Sequence, residues 1–103
     1  MNVHYYIMSS KEYQKILKKH EARYRYWHLL KAERDFFPPE NVEFKVEFAG
    51  KTNVLKVNHK NVVMTGQFYE KYKFLENDRI ILTKKKPNLF LMDAPDTQLY
   101  PET

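Results

Sequence analysis

The chain has 103 residues, enough for one domain with a modest core, and no cysteine, which excludes a disulfide framework and a cysteine-ligated zinc site. It carries 18 basic and 13 acidic residues, a net charge of +5, and a pI near 9.3, a balance that suits a polyanionic partner. The excess is uneven: +3 in residues 1–40 (8 basic, 5 acidic), +3 in 41–75 (6 basic, 3 acidic) and −1 in 76–103 (4 basic, 5 acidic).

Asn2 to Met8 reads as a strand with Val3, Tyr5 and Ile7 on one face. Ser9-Ser10-Lys11-Glu12 has the form of a capping box, which predicts a helix running to about Asp35. Tyr13, Ile16, Leu17, His20, Tyr24, Trp27 and Leu30 follow the 3, 4, 7 spacing and would form one stripe of that helix, best explained by core packing. Lys19, Arg23 and Arg25 lie on its basic flank. Pro38-Pro39 ends it.

Val42 to Ala49 alternates cleanly, with Val42, Phe44, Val46 and Phe48 on one face and Glu43, Lys45 and Glu47 on the other. Gly50-Lys51 turns the chain and Asn53 to Asn58 returns it as a hairpin. His59-Lys60-Asn61 lies in a polar turn. Val62-Val63-Met64 suits a strand, Thr65 can cap a short helix, Glu76-Asn77-Asp78 is an acidic turn, and Arg79 to Leu82 is a strand. Thr83 to Asn88 reads as a basic loop before a last strand, Leu89 to Met92. The organisation expected is one domain over residues 1–93 and a flexible tail over 94–103.

Two segments look duplicated. Tyr6 to Lys15 aligns without gaps on Val62 to Lys71, and Phe48 to Asn58 aligns on Thr83 to Asp93. The fold expected is α+β: a small barrel from two strand-helix-strand-strand repeats, with one long N-terminal amphipathic helix.

Residues 54–82, with the polar turn His59-Lys60-Asn61, the helix Gln67 to Lys73 and the acidic turn leading into Arg79-Ile80-Ile81-Leu82, resemble the AbrB/MazE type of DNA-binding half-barrel. The duplicated unit is similar to the DNA-binding pseudobarrel of plant B3-type domains and restriction-endonuclease recognition domains. That resemblance implies two interleaved halves around a shared core, with basic loops and a sheet surface gripping the major groove.

The function expected is non-enzymatic nucleic-acid binding, most of all to double-stranded DNA, with RNA as an open alternative. Lys84-Lys85-Lys86 on a hairpin tip would neutralise phosphates, and so would Lys51 and Lys56 of the first hairpin. In the polar turn, Asn61 could read adenine and Lys60 could contact phosphate or guanine, beside His59. The competing expectation is a protein-interaction or assembly module, including a homodimer, built on the long aromatic helix. Glu43-Phe44-Lys45, with Asp35 upstream, has the E-x-K form of a metal-dependent nuclease, but this tripeptide is common on amphipathic strands. The four histidines have no zinc spacing, and two glycines leave no phosphate-binding loop, so no enzyme activity, cofactor or metal is expected. No apolar run approaches the roughly 18 residues of a membrane span, and no basic-then-apolar leader opens the chain. The location expected is intracellular, cytoplasmic or nuclear.

Overall fold

A computed structural model of the protein describes residues 6–99. The alternating segment forms a hairpin, with its turn one residue earlier than expected and Lys51 inside the return strand: β4 is Phe44–Phe48 and β5 is Lys51–Leu55. Ala49 and Gly50 make the turn with φ of 54° and 77°, the positive pair that matches the twist of a two-residue hairpin. Four further strands join these two: β1 (Tyr6–Met8), β2 (Glu12–Ile16), β8 (Arg79–Lys86) and β9 (Leu89–Asp93). The six-stranded sheet has the order β1-β2-β8-β9-β4-β5, and its neighbours are antiparallel except for the parallel pair β4 and β9.

The chain between these strands forms α1 (Lys19–Tyr24), β3 (Tyr26–His28), α2 (Lys31–Arg34), β6 (Val62–Met64), a 3-10 turn at Gly66–Glu70, β7 (Tyr72–Lys73) and β10 (Gln98–Leu99). β3 pairs with β6, and β7 pairs with β10, as two short antiparallel ribbons. Residues 94–99, where the sequence has no pattern, therefore return to the domain. The Arg79 guanidinium lies 3.4 Å from Asp96, and the Thr97 hydroxyl donates to Asp78 at 3.2 Å.

The fold expectation needs correction. Among the described residues the protein is mostly β, 44% strand against 16% helix, with a six-stranded sheet, two short α-helices and no long helix, instead of a helix-bearing barrel. The capping-box residues make a hairpin turn between β1 and β2. Ser9 N–H donates to Glu12 O at 2.8 Å, and Ser9 Oγ accepts from Glu12 N–H at 3.1 Å. The same local hydrogen bonds that can start a helix here close a strand turn. The aligned segments also differ in local structure. Tyr13 lies in strand β2, whereas its counterpart Tyr69 lies in the 3-10 turn, although both are buried. Thr65 makes no side-chain cap. The assembly reading loses the long aromatic helix on which it rested.

The core lies over one face of the sheet. Phe90 of β9 is fully buried and touches three other rings: Phe44 edge-on at 5.4 Å, Phe36 at 5.3 Å and Phe37 at 5.9 Å. Trp27 of β3 stacks on Phe68 at 5.8 Å, which ties the β3·β6 ribbon to the same core.

A charged cluster lies inside this core. Lys15, Glu21 and Glu33 are 4%, 1% and 1% exposed. Lys15 Nζ is 3.0 Å from Glu21 Oε2 and 3.5 Å from Glu33 Oε2, and it donates to His28 O at 3.2 Å. That uses all three of its donors. Glu21 and Glu33 occupy equivalent places, in the first turns of α1 and α2. Glu21 Oε1 accepts from Lys18 N–H at 3.0 Å and Glu33 Oε1 from Leu30 N–H at 2.9 Å, each satisfying a helix-start amide. Glu21 Oε2 also accepts from His28 N–H at 2.8 Å, and the Tyr13 hydroxyl donates to Glu33. The cluster thus fixes β2, both helices and β3 to one another.

Burial, followed by the Glu33 charge and its hydrogen bond, holds the Tyr13 phenol far above the usual tyrosine range. Above about pH 10 the unfolded chain releases this proton and the folded chain keeps it. The stabilisation is complete below that pH and is lost as pH rises, by up to about 1.4 kcal/mol per pH unit. Urea denaturation between about pH 9 and about pH 11 should show this fall, and Tyr13→Phe should remove one proton's share of the slope.

Candidate nucleic-acid interface

The three consecutive lysines do not share one environment. They end strand β8, where the sequence reading placed them on a loop, and the turn is confined to Pro87 and Asn88. Lys84 folds back over the core. Its Nζ lies 4.6 Å from the centre of the Phe36 ring and 5.9 Å from that of Phe90, the geometry of a cation–π contact. Lys85 and Lys86 are exposed. Lys84→Ala should therefore lower stability by about 0.5–1 kcal/mol, read from the urea midpoint, while Lys85→Ala should leave it nearly unchanged.

Lys51 sits at the opposite end of the first hairpin, beside the Ala49-Gly50 turn, and its Nζ is 3.0 Å from Glu70 in an exposed ion pair. Its charge is partly answered within the protein.

The polar turn is firmly seated. Asn58 Oδ1 accepts from Lys60 N–H at 2.8 Å and from Val62 N–H at 3.1 Å, an Asx turn that fixes its start. Asn61 has φ of 60°, a left-handed conformation that asparagine tolerates, so this residue has a backbone role of its own. Its carbonyl accepts from Leu29 N–H at 2.8 Å, just past the end of β3. His59, Lys60 and Asn61 all remain exposed.

The turn sits beside the outer face of the β3·β6 ribbon. There Lys60, His20, Tyr26, His28, Val62 and Met64 line an open depression of about 390 Å³. The His20 and Tyr26 rings are 5.9 Å apart. Val62 and Met64 also border a second depression, together with Lys56, Asn58 and Gln67, in which Glu43 is the carboxylate.

Strand register joins the remaining lysines. Lys86 pairs with Leu89, Leu89 with Lys45, and Lys45 with Val54, so four strands carry these residues in one row. At about 4.8 Å per strand the row is roughly 14 Å wide, and Lys56 follows Val54 by two residues. Lys45 N–H donates to Asn88 O at 2.8 Å, which confirms that β4 begins beside the β8–β9 turn. Lys85, Lys86, Lys45 and Lys56 thus lie at one end of the sheet, with Lys51 at the other.

Lys45, Tyr26 and His28 were not singled out from the sequence as interface residues. Lys45 is an isolated lysine on an amphipathic strand, and only the parallel pairing with β9 gives it basic neighbours. For Tyr26 and His28 a signal did exist: Tyr26-Trp27-His28 alternates, with the buried Trp27 between two outward side chains.

Among the described residues no group of three or more histidine, cysteine or acidic side chains is placed to hold a metal ion. Among them also, no helix is long and apolar enough to cross a membrane. No family model, no curated protein and no solved structure matches the chain.

Proposed function

We propose that the protein binds nucleic acid, with double-stranded DNA as the principal target. The observation that carries this reading is the gathering of Lys45, Lys56, Lys85 and Lys86 at one end of the six-stranded sheet, next to the exposed turn His59-Lys60-Asn61. Clustered exposed ammonium groups on a rigid frame can neutralise several phosphates of a duplex and release its counterions on binding. A turn held by the Asn58 side chain and the Leu29 amide presents its own side chains at low entropic cost. In this interface Lys85, Lys86, Lys45 and Lys56 contact phosphates, while His59, Lys60 and Asn61 approach base edges or the backbone. Lys84 belongs to the core packing, and Lys51 to its pair with Glu70.

The test is the affinity for random duplex DNA as a function of salt. Each phosphate contact should contribute about 0.9 to the slope of log affinity against log salt. Replacing Lys85 and Lys86 together by alanine should lower that slope by up to about two contacts' worth, equally for every DNA sequence. A flat salt response of the unmodified protein would reject the reading.

A further inference from the structure

A duplex alone does not account for the apolar lining of the depression between α1 and the β3·β6 ribbon. Phosphates need cations or N–H donors, and in its lining Lys60 supplies the cation while the imidazoles of His20 and His28 can offer ring N–H groups. The apolar part of its lining is Tyr26, Val62 and Met64, and Met64 is 59% exposed. No carboxylate lines this depression. Apolar and aromatic surface at such a place does nothing for a phosphate backbone, and in a duplex the base faces are stacked inside, out of its reach. It does suit the face of an unpaired base, which every nucleobase presents.

We infer that this depression holds one unpaired nucleotide, its base against Tyr26 and Met64 and its phosphate among His20, His28 and Lys60, so that the protein prefers duplex ends or junctions that carry a single-stranded nucleotide. This rests on the nucleic-acid reading above and adds the form of the ligand. Three observations support it. The volume, about 390 Å³, is in the range of sites that hold small ligands. The depression adjoins the Lys56 depression across Val62 and Met64, so a duplex bound on the basic end of the sheet would deliver its terminal nucleotide here. The platform is also preformed. Trp27 anchors β3 from below by stacking on Phe68, and both backbone polar groups of His28 are held by the buried cluster, its N–H by Glu21 at 2.8 Å and its carbonyl by Lys15 at 3.2 Å. Rigid aromatic surface binds a base without an ordering cost.

Three probes separate the possibilities by fluorescence anisotropy at fixed salt: a blunt duplex, the same duplex with a short thymidine overhang, and that duplex with abasic sugars in the overhang. The overhang duplex should bind about 5- to 150-fold more tightly than the blunt one, the range for stacking one base. The abasic overhang keeps the phosphates and should lose most of that gain. Met64→Ser, an exposed and uncharged change that leaves the core intact, should abolish most of the preference while the blunt duplex still binds, and a folded Tyr26→Ala protein should do the same. Equal affinity for all three probes, or a gain retained by the abasic overhang, overturns this inference and leaves the duplex reading standing. Failure of every probe to bind at low salt overturns both.

Discussion

Replacing Lys15 by methionine should destabilise the protein by about 3–5 kcal/mol, the usual consequence of removing one partner from a buried ion pair. The ammonium is the cation between Glu21 and Glu33, and both carboxylates are about 1% exposed. Methionine nearly matches the shape but leaves two like charges facing each other without compensation. Against a total stability of about 5–15 kcal/mol, this places the variant close to unfolding. Urea denaturation measures the loss. A Lys15→Met/Glu33→Gln double variant should lose less than the two single changes added together, because neutralising Glu33 removes part of the repulsion. A loss below about 1 kcal/mol for Lys15→Met would show that the ammonium does not hold the cluster together. A folded variant is expected to bind blunt duplex normally but to lose the preference for an overhang, since the cluster fixes the backbone of His28.

Phe90→Ala is expected to cost about 3–5 kcal/mol. The ring fills the centre of the core, with Phe36, Phe37 and Phe44 all within 6 Å between centroids. Three neighbouring rings cannot all relax into the space left, so the cavity persists and adds to the transfer cost. The ammonium of Lys84 also lies against this group, 5.9 Å from Phe90 and 4.6 Å from Phe36. Phe90→Ala and Lys84→Ala should therefore be non-additive, while Phe90→Ala and Lys85→Ala should add within about 0.5 kcal/mol. The shift in urea midpoint reads both comparisons. A Phe90→Ala cost below about 1.5 kcal/mol would mean that the core collapses around the missing ring.

The β4–β5 hairpin was legible from residues alone, because Phe44 and Val46 alternate with Glu43, Lys45 and Glu47 and the pleat sends neighbours to opposite faces. β8 and β9 were legible in part: Arg79 to Leu82 and Leu89 to Met92 are strands as read, but β8 continues through Lys86 where a loop was expected. The composition likewise determined a basic, cysteine-free chain with more than one run of cations. The segment from Glu12 to Arg34 was not legible. Tyr13, Lys15 and Leu17 are the inward positions of β2 and its extension, but a lysine at the middle position breaks the visible alternation. The remaining apolar residues then match a helical spacing equally well. Lys15 can be buried only because Glu21 and Glu33 meet it, and that meeting depends on how α1 and α2 pack on the sheet. The cationic surface follows the same logic. The run Lys84-Lys85-Lys86 looked uniform in sequence, yet a β-bulge between Lys84 and Lys86 and the rings of Phe36 and Phe90 set Lys84 apart. Lys45 joined Lys86 through a parallel strand pair between residues more than forty positions apart, and Lys56 through its own hairpin. Local sequence determined which side chains were cationic or apolar, and the long-range register decided which of them could act together.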